Sequence, residues 1–297
     1  MSELLDKNLD NVKSETDLFG NRIEKLSMKD RIGFLPISIW QTDWTIVKEL
    51  KAIVGDDGSG REGCIENASS KISSRYFKKI DGETFYNERA SIFNPHFAQM
   101  ILSAYCPTKA NIFDPFGGGG TRGFVATAMG HKYHGVELRQ NEVDRIKEQQ
   151  NKLGLYFDIV CADSRKYPVT PQVYDFCYTC PPYYNLEIYS DLPNDLSNIK
   201  MYGEFMGQLR ESINTSYVAL KNGSLSCWVV GNFRDKDGYL THFNSDLIWA
   251  AKECGYKLHD EIVLWSASGN AVQRCGNFLA NRKSVRVHEY LIVLKKP

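Results

Sequence analysis

The chain has 297 residues, 42% hydrophobic and 24% charged, the proportions of an ordinary soluble globular protein able to bury a full core. Its 36 basic and 36 acidic residues cancel, so no global field draws it to a polyanion, and any nucleic-acid contact must come from local patches. No apolar run reaches membrane-spanning length, and the polar start, Met1 to Asp10, is not a signal peptide.

In chain order, Met1 to about Gly20 is polar and without periodicity. Ile37 to Val54, with Trp40 and Trp44, predicts a turn and a short helix, and Gly55 to Gly60 a loop. Lys71, Arg75, Lys78 and Lys79 interleave with Tyr76 and Phe77, a pattern shared by solvated basic faces and nucleic-acid contacts. Asn94 and Pro95 suit the N-cap and first turn of a helix to about Tyr105. A strand over Asn111–Asp114 enters a glycine loop, and the helix Thr121–Met129 is closed by Gly130. Tyr133–Glu137 reads as a strand and Asn141–Leu153 as a helix ended by Gly154. Strands follow at Asp158–Cys161 and Tyr174–Tyr178, then a helix over about Tyr202–Leu220 and a strand at Ser224–Val230. The helix Asn244–Cys254 leads to the strand Tyr256–Trp265, and Val285–Leu294 is the last strand.

Strands alternating with helices indicate an α/β fold, a mostly parallel sheet covered on both faces. Trp265–Val285 breaks the alternation, which places an antiparallel hairpin at one edge of a seven-stranded sheet. The expected division is a partly helical N-terminal extension over 1–90, with its basic segment, and a main domain over 91–297. The eight cysteines sit mostly in apolar segments, as Cys161, Cys177 and Cys227 do, which favours reduced buried thiols in the cytoplasm. Cys177 and Cys180 form a single CxxC with no second pair, so no metal site is expected.

The densest chemistry lies in Phe176–Asn185, where an apolar run ends in Cys180, Pro181, Pro182, Tyr183 and Tyr184. Two prolines have no N–H and a fixed φ, so the chain leaves its strand rigid with carbonyls aimed outward. Rigid acceptors beside an aromatic ring suit a flat ligand carrying an amino group, such as a nucleobase. A second feature is Asp114-Pro115-Phe116-Gly117-Gly118-Gly119-Gly120-Thr121, between a strand and a helix, where ligands meet open α/β sheets. Gly120 stands where a phosphate loop has lysine, which excludes a Walker-type NTPase. Glu137 and Leu138 end the next strand, where a carboxylate can accept both hydroxyls of a ribose. Asp163 and Ser164 follow the third strand, where an acid can accept from an adenine amino group. An acceptor after each of the first three strands suits an adenosine moiety with no demand for phosphate.

These residues resemble the S-adenosylmethionine-dependent amino methyltransferases of DNA, which act on adenine N6 or cytosine N4. Asp114–Gly119 matches the family's cofactor loop, Glu137 and Asp163 its ribose and adenine ligands, and Pro181-Pro182-Tyr183 its catalytic motif. Asn185–Asp191, Arg234–Gly238 and His288–Val293 resemble a branch common in bacteriophages, over roughly Ser91 to Pro297. The resemblance implies a Rossmann-like methyltransferase fold, S-adenosylmethionine as cofactor, no metal, and a base flipped out of double-stranded DNA. It also implies that the Pro181 carbonyl and the side chain at position 180 hold the amine while Tyr183 stacks on the base.

The family normally has Asp, Asn or Ser before the prolines, and this chain has Cys180. Cysteine is closest in shape to Ser, and Thr179 matches the Thr-Ser-Pro-Pro form of cytosine N4 enzymes, so N4 is favoured over N6. A nucleophilic Cys180, as in cytosine C5 enzymes, fits poorly because here the cysteine precedes the prolines. No large target-recognition insertion fits after Ser91, so a short target is expected. Tyr184, Arg234, Arg274, Arg282 and Lys283 are the candidate DNA contacts, with Arg286 also in that basic stretch. Alternatives are methylation of RNA or another amine, or a cofactor- and DNA-binding relative whose Cys180 has ended catalysis.

Overall fold

The computed structural model describes residues 37–53, 77–80, 83–86, 93–265, 275 and 281–297. In order these form β1 (Ile39–Gln41), α1 (Trp44–Ile53), β2 (Phe77–Ile80), β3 (Glu83–Tyr86), α2 (Pro95–Tyr105), β4 (Asn111–Asp114) and α3 (Thr121–Ala128). They continue as β5 (Lys132–Glu137), α4 (Gln140–Leu153), β6 (Asp158–Cys161), β7 (Tyr174–Thr179), α5 (Tyr202–Ala219), β8 (Leu220–Val230), α6 (Phe243–Glu253), β9 (Lys257–Trp265) and β10 (His288–Lys295).

Local chemistry sets the element ends. The Asn94 side chain accepts from the N–H groups of His96 and Phe97 at 3.0 and 3.3 Å, satisfying two free donors at the start of α2. Gly154 stops α4 with φ 67°, a left-handed turn that glycine adopts without steric cost.

Eight strands form one sheet in the order β1-β9-β10-β8-β7-β4-β5-β6, and β2 and β3 pair separately. Every neighbouring pair in the large sheet is parallel except those of β10, which runs antiparallel to both β8 and β9. The central strands are apolar on both faces. Phe176 and Tyr178 pack with Phe97, Ile101, Phe124 and Val143, while Cys177 packs on the other side with Phe205, Leu209, Ile213 and Phe243. Leu291 and Val293 join the first cluster and Ile292 and Leu294 the second, the period-2 alternation of a strand between two helical layers.

The sheet departs from the sequence-based expectation in two ways. It has eight strands rather than seven, and the β9–β10 hairpin is not at its edge, because β1 pairs parallel with β9 outside it. Ile39–Gln41, expected as a turn, supplies that strand from within the stretch assigned to the N-terminal extension. Trp40 is 2% exposed and stacks on Tyr105 at 5.9 Å, and the Tyr105 hydroxyl donates to Asp260 of β9 at 3.0 Å. One expected buried thiol is also corrected: Cys161 ends the outermost strand β6, where one side has no neighbour, and is exposed. Lys71, Arg75, Tyr76 and Gly55–Gly60 lie outside the described residues, and Lys78 and Lys79 fall in β2.

The chain runs outward from β4 through β5 and β6, then returns to the other side of β4 as β7. The loops after β4 and β7 therefore part in opposite directions and open a crevice, the usual ligand position in such sheets.

Candidate functional site

Asp114 ends β4 with no exposure, and its carboxylate is the hub of the crevice. Oδ1 accepts from the Phe116 N–H at 2.9 Å and the Thr179 hydroxyl at 2.6 Å. Oδ2 accepts from Arg122 Nε at 2.7 Å and the Tyr133 hydroxyl at 2.5 Å. Asp114 was expected to contact a cofactor, but the structure gives its four acceptor positions to the protein. It holds the glycine loop to the end of β7, one residue before Cys180.

The loop itself is shaped by glycine. Gly118 and Gly120 have φ of 53° and 81°, and a Cβ on Gly117 would lie 2.8 Å from Ile159 Cδ1. Pro115 is buried and Phe116 half-buried, with the Phe116 ring edge-on to Trp228 at 6.3 Å. Thr121 is buried at the first position of α3, and the Gly119 carbonyl accepts from Arg145 at 3.1 Å.

Glu137 is buried at the end of β5 and accepts from Gly118 N at 3.0 Å and from Arg139 N and Nε, both at 3.1 Å. Burial pushes its carboxyl above the usual range, against the opposing pull of Arg139. Three donors leave such a group room for one more. Leu138 beside it is half-buried, and its carbonyl accepts from the Cys161 thiol. Asp163 is differently placed: Arg165 N and Nε reach Oδ1 at 3.1 and 2.8 Å, Arg165 Nη2 reaches Oδ2 at 2.5 Å, and Asn194 Nδ2 lies 3.5 Å from Oδ2, so all four of its acceptor positions face donors of the chain. Burial raises its pKa, but the bonds from Arg165 outweigh this and hold the carboxyl below its ordinary value. Ser164 is also turned inward, with its hydroxyl 2.9 Å from that of Ser212.

At the end of β7, Pro181 is buried and Cys180, Pro182 and Tyr183 are half-buried. Burial and the nearby Glu289 push the Cys180 thiol up to about 12. The Tyr183 hydroxyl lies 3.6 Å from Cys180 Sγ and donates to Glu289 Oε1 at 2.6 Å. Its ring meets Phe243 edge-on at 6.0 Å. Beyond it, Tyr189 sits under the Arg139 guanidinium at 5.8 Å, which brings the segment after the prolines onto the Glu137 corner.

The expected DNA contacts separate. Tyr184 is half-buried: its ring packs with Tyr202, Phe205 and Phe233, and its hydroxyl donates to the Lys200 carbonyl. Arg234 is half-buried at the base of a turn, donating to the Gly238 carbonyl at 3.2 Å. Arg282 and Lys283 are exposed, and the Lys283 ammonium lies against Gly238, where a Cβ would be 2.2 Å from Nζ. Arg234 and Lys283 thus share one ridge, and Arg274 lies outside the described residues.

From the sequence, Thr179 serves only to favour cytosine N4, and Arg139, Arg165 and Glu289 are given no role. The arginines follow their acids by two residues, a spacing that could have flagged them. Glu289 lies in the segment His288–Val293 that carries part of the resemblance, but nothing local shows that it meets Tyr183, 106 positions away.

No family model matches the chain, and no curated protein matches it. Among solved structures it resembles the cyclase SpnF, with a TM-score of 0.52 and 13% identity over 88% of this chain and 98% of that one. It also resembles an S-adenosylmethionine-dependent methyltransferase of Methanosarcina mazei, with a TM-score of 0.47 and 12% identity over 66% and 96% of the two chains. TrmN of Thermus thermophilus has a TM-score of 0.47 and 16% identity, and the match covers 69% of this chain and 49%, about half, of TrmN. The fold shared with SpnF is an α/β Rossmann-like fold, a mostly parallel sheet between helical layers, and an identity this low establishes the fold alone.

Proposed function

We propose that this chain methylates the exocyclic amino group of a base in double-stranded DNA, flipped from the helix, with S-adenosylmethionine as cofactor. Cytosine N4 is favoured over adenine N6. The observation that carries this reading is Asp114, whose Oδ1 accepts from both the glycine loop and Thr179 at the start of the Pro181-Pro182-Tyr183 segment. A loop suited to the cofactor and a segment suited to a flat amine are thereby held on either side of one crevice.

The residues fit the cofactor in most respects. Glycines with left-handed φ let the backbone come close to a ligand, and Glu137 keeps an acceptor position for a ribose hydroxyl. Asp163, committed to Arg165, fits an adenine amino group less well than expected. When bound, the cofactor supplies an electrophilic methyl group. The chain's own part is to prepare the amine. Its nitrogen lone pair is delocalised into the ring, and the Pro181 carbonyl, by accepting one N–H, favours the pyramidal form in which that pair is free. The same acceptor stabilises positive charge growing on the nitrogen. Tyr183 supplies the stacking face, worth about 1–3 kcal/mol per base. Cys180, held protonated, is no ring nucleophile.

Arg234, Arg282 and Lys283 are the proposed phosphate contacts. The test is mass spectrometry of nucleosides after incubating the protein with duplex DNA or RNA and isotopically labelled cofactor. Label in N4-methylcytosine is expected. N6-methyladenine would keep the mechanism and change the base, label in RNA alone would change the polymer, and cofactor binding without product would mark a non-catalytic relative.

A further inference from the structure

Glu289 is the second residue of β10, and its strand runs against its neighbours, so it begins on the rim where β7 and β8 end. That reversal brings a carboxylate to the Pro181-Pro182-Tyr183 segment from the far end of the chain. The Tyr183 hydroxyl donates to Glu289 Oε1 at 2.6 Å and lies 3.6 Å from the Cys180 sulfur. Gly231, just after β8, leaves space for both partners: a Cβ there would lie 3.2 Å from Tyr183 Cε2 and 3.8 Å from Glu289 Cγ. Tyr183 and Cys180 face the carboxylate from β7 and its loop, and Glu187 adds a like charge from the segment beyond. Glu289 has no salt bridge among the described residues.

We infer that Glu289 is a positioning residue of the amine site, which fixes the Tyr183 ring through its hydroxyl and supplies the negative charge that Cys180 cannot. The inference rests on the proposed amine methylation. A thiol is a weak acceptor, so the place before the prolines lacks an anion to face a nitrogen becoming cationic. A carboxylate one hydroxyl away restores that charge in a half-buried site, where it is felt more strongly than in bulk water. The short bond also prevents the ring from tilting out of the plane that stacking needs.

The sign of the pH dependence follows from the same contacts. Burial, with the charge of Glu187, lifts the Glu289 carboxyl above its ordinary value despite the bond from Tyr183. The role requires the anion, so activity rises as pH climbs through that elevated value and is lost below it.

The experiment compares wild type, Glu289→Gln and Tyr183→Phe by cofactor titration, by kcat from pH 5 to 9, and by peptide mapping of Cys180 alkylation. Glu289→Gln keeps the volume and an acceptor oxygen. It is expected to fold, to bind cofactor within about twofold of wild type, to lose about 100-fold in kcat, and to lose the acid limb of the profile. Tyr183→Phe, which severs the link, is expected to lose the same limb. An unchanged kcat and profile in Glu289→Gln overturns the inference. Alkylation of Cys180 does not depend on methyl transfer, so it separates failure of this inference from failure of the proposed reaction. Removing the neighbouring charge should speed it about threefold in Glu289→Gln, and an unchanged rate overturns the linkage even if no substrate is ever methylated.

Discussion

Cys180 shows how far one side chain can depart from its expected chemistry because of what surrounds it. A free thiol loses its proton near pH 8.5, but this one, enclosed beside Glu289, is pushed up to about 12 and stays protonated at neutral pH. Its service is then that of shape, which serine reproduces. Cys180→Ser should retain methyl transfer within a few-fold of wild type, measured as kcat on duplex DNA. A drop of about a thousandfold or more would instead identify a thiolate nucleophile. Asp163 makes the complementary point. It has the position of a ligand acceptor, yet Arg165 two residues on claims both of its oxygens.

At the scale of elements, the site is a seam between the loop after β4 and the end of β7, and Asp114 is its fastening. Asp114→Asn leaves the buried Arg122 without its counter-charge, the kind of loss that costs about 3–5 kcal/mol. The variant should unfold at correspondingly lower urea and bind cofactor more weakly, because an amide has one acceptor oxygen and cannot serve Phe116 N and the Thr179 hydroxyl on one side and Arg122 and Tyr133 on the other. A stability change below about 0.5 kcal/mol, the range of ordinary surface substitutions, would show that the fastening is not needed. Much of this seam was readable from sequence. A strand ending in Asp-Pro and entering four glycines announces a turn that meets a ligand, and paired prolines announce a rigid exit. What could not be read was that the acid of one motif holds the hydroxyl of the other, because Asp114 and Thr179 are 65 positions apart.

At the scale of the whole molecule, β1 ties the first described residues to the far edge of the sheet. Trp40 is enclosed there against Tyr105, so Trp40→Ala should cost about 3–5 kcal/mol. Followed by calorimetry, the loss is expected as a downward shift of a single transition shared with the rest of the fold. An unmoved main transition would mean that residues 37–53 unfold on their own. The edge also explains why β1 was expected as a turn. Three residues are too few to display alternation, and their partner strand lies more than 200 positions away.

What the sequence determined by itself is the chemistry carried by contiguous residues. Asn94 caps a helix, Gly154 ends one, the alternation of strand and helix dictates a mostly parallel sheet, and Pro181-Pro182-Tyr183 forms a rigid exit from its strand. Each of these depends on dihedral limits or hydrogen bonds within a few residues, so the order of letters is enough. Only the tertiary structure decided which of those groups remain free. It spent Asp114 on the seam, tied Asp163 to Arg165, turned Tyr184 into the aromatic cluster, and brought Glu289 to Tyr183. Those outcomes follow from strand order and from the reversal of β10, and neither leaves a mark on neighbouring residues.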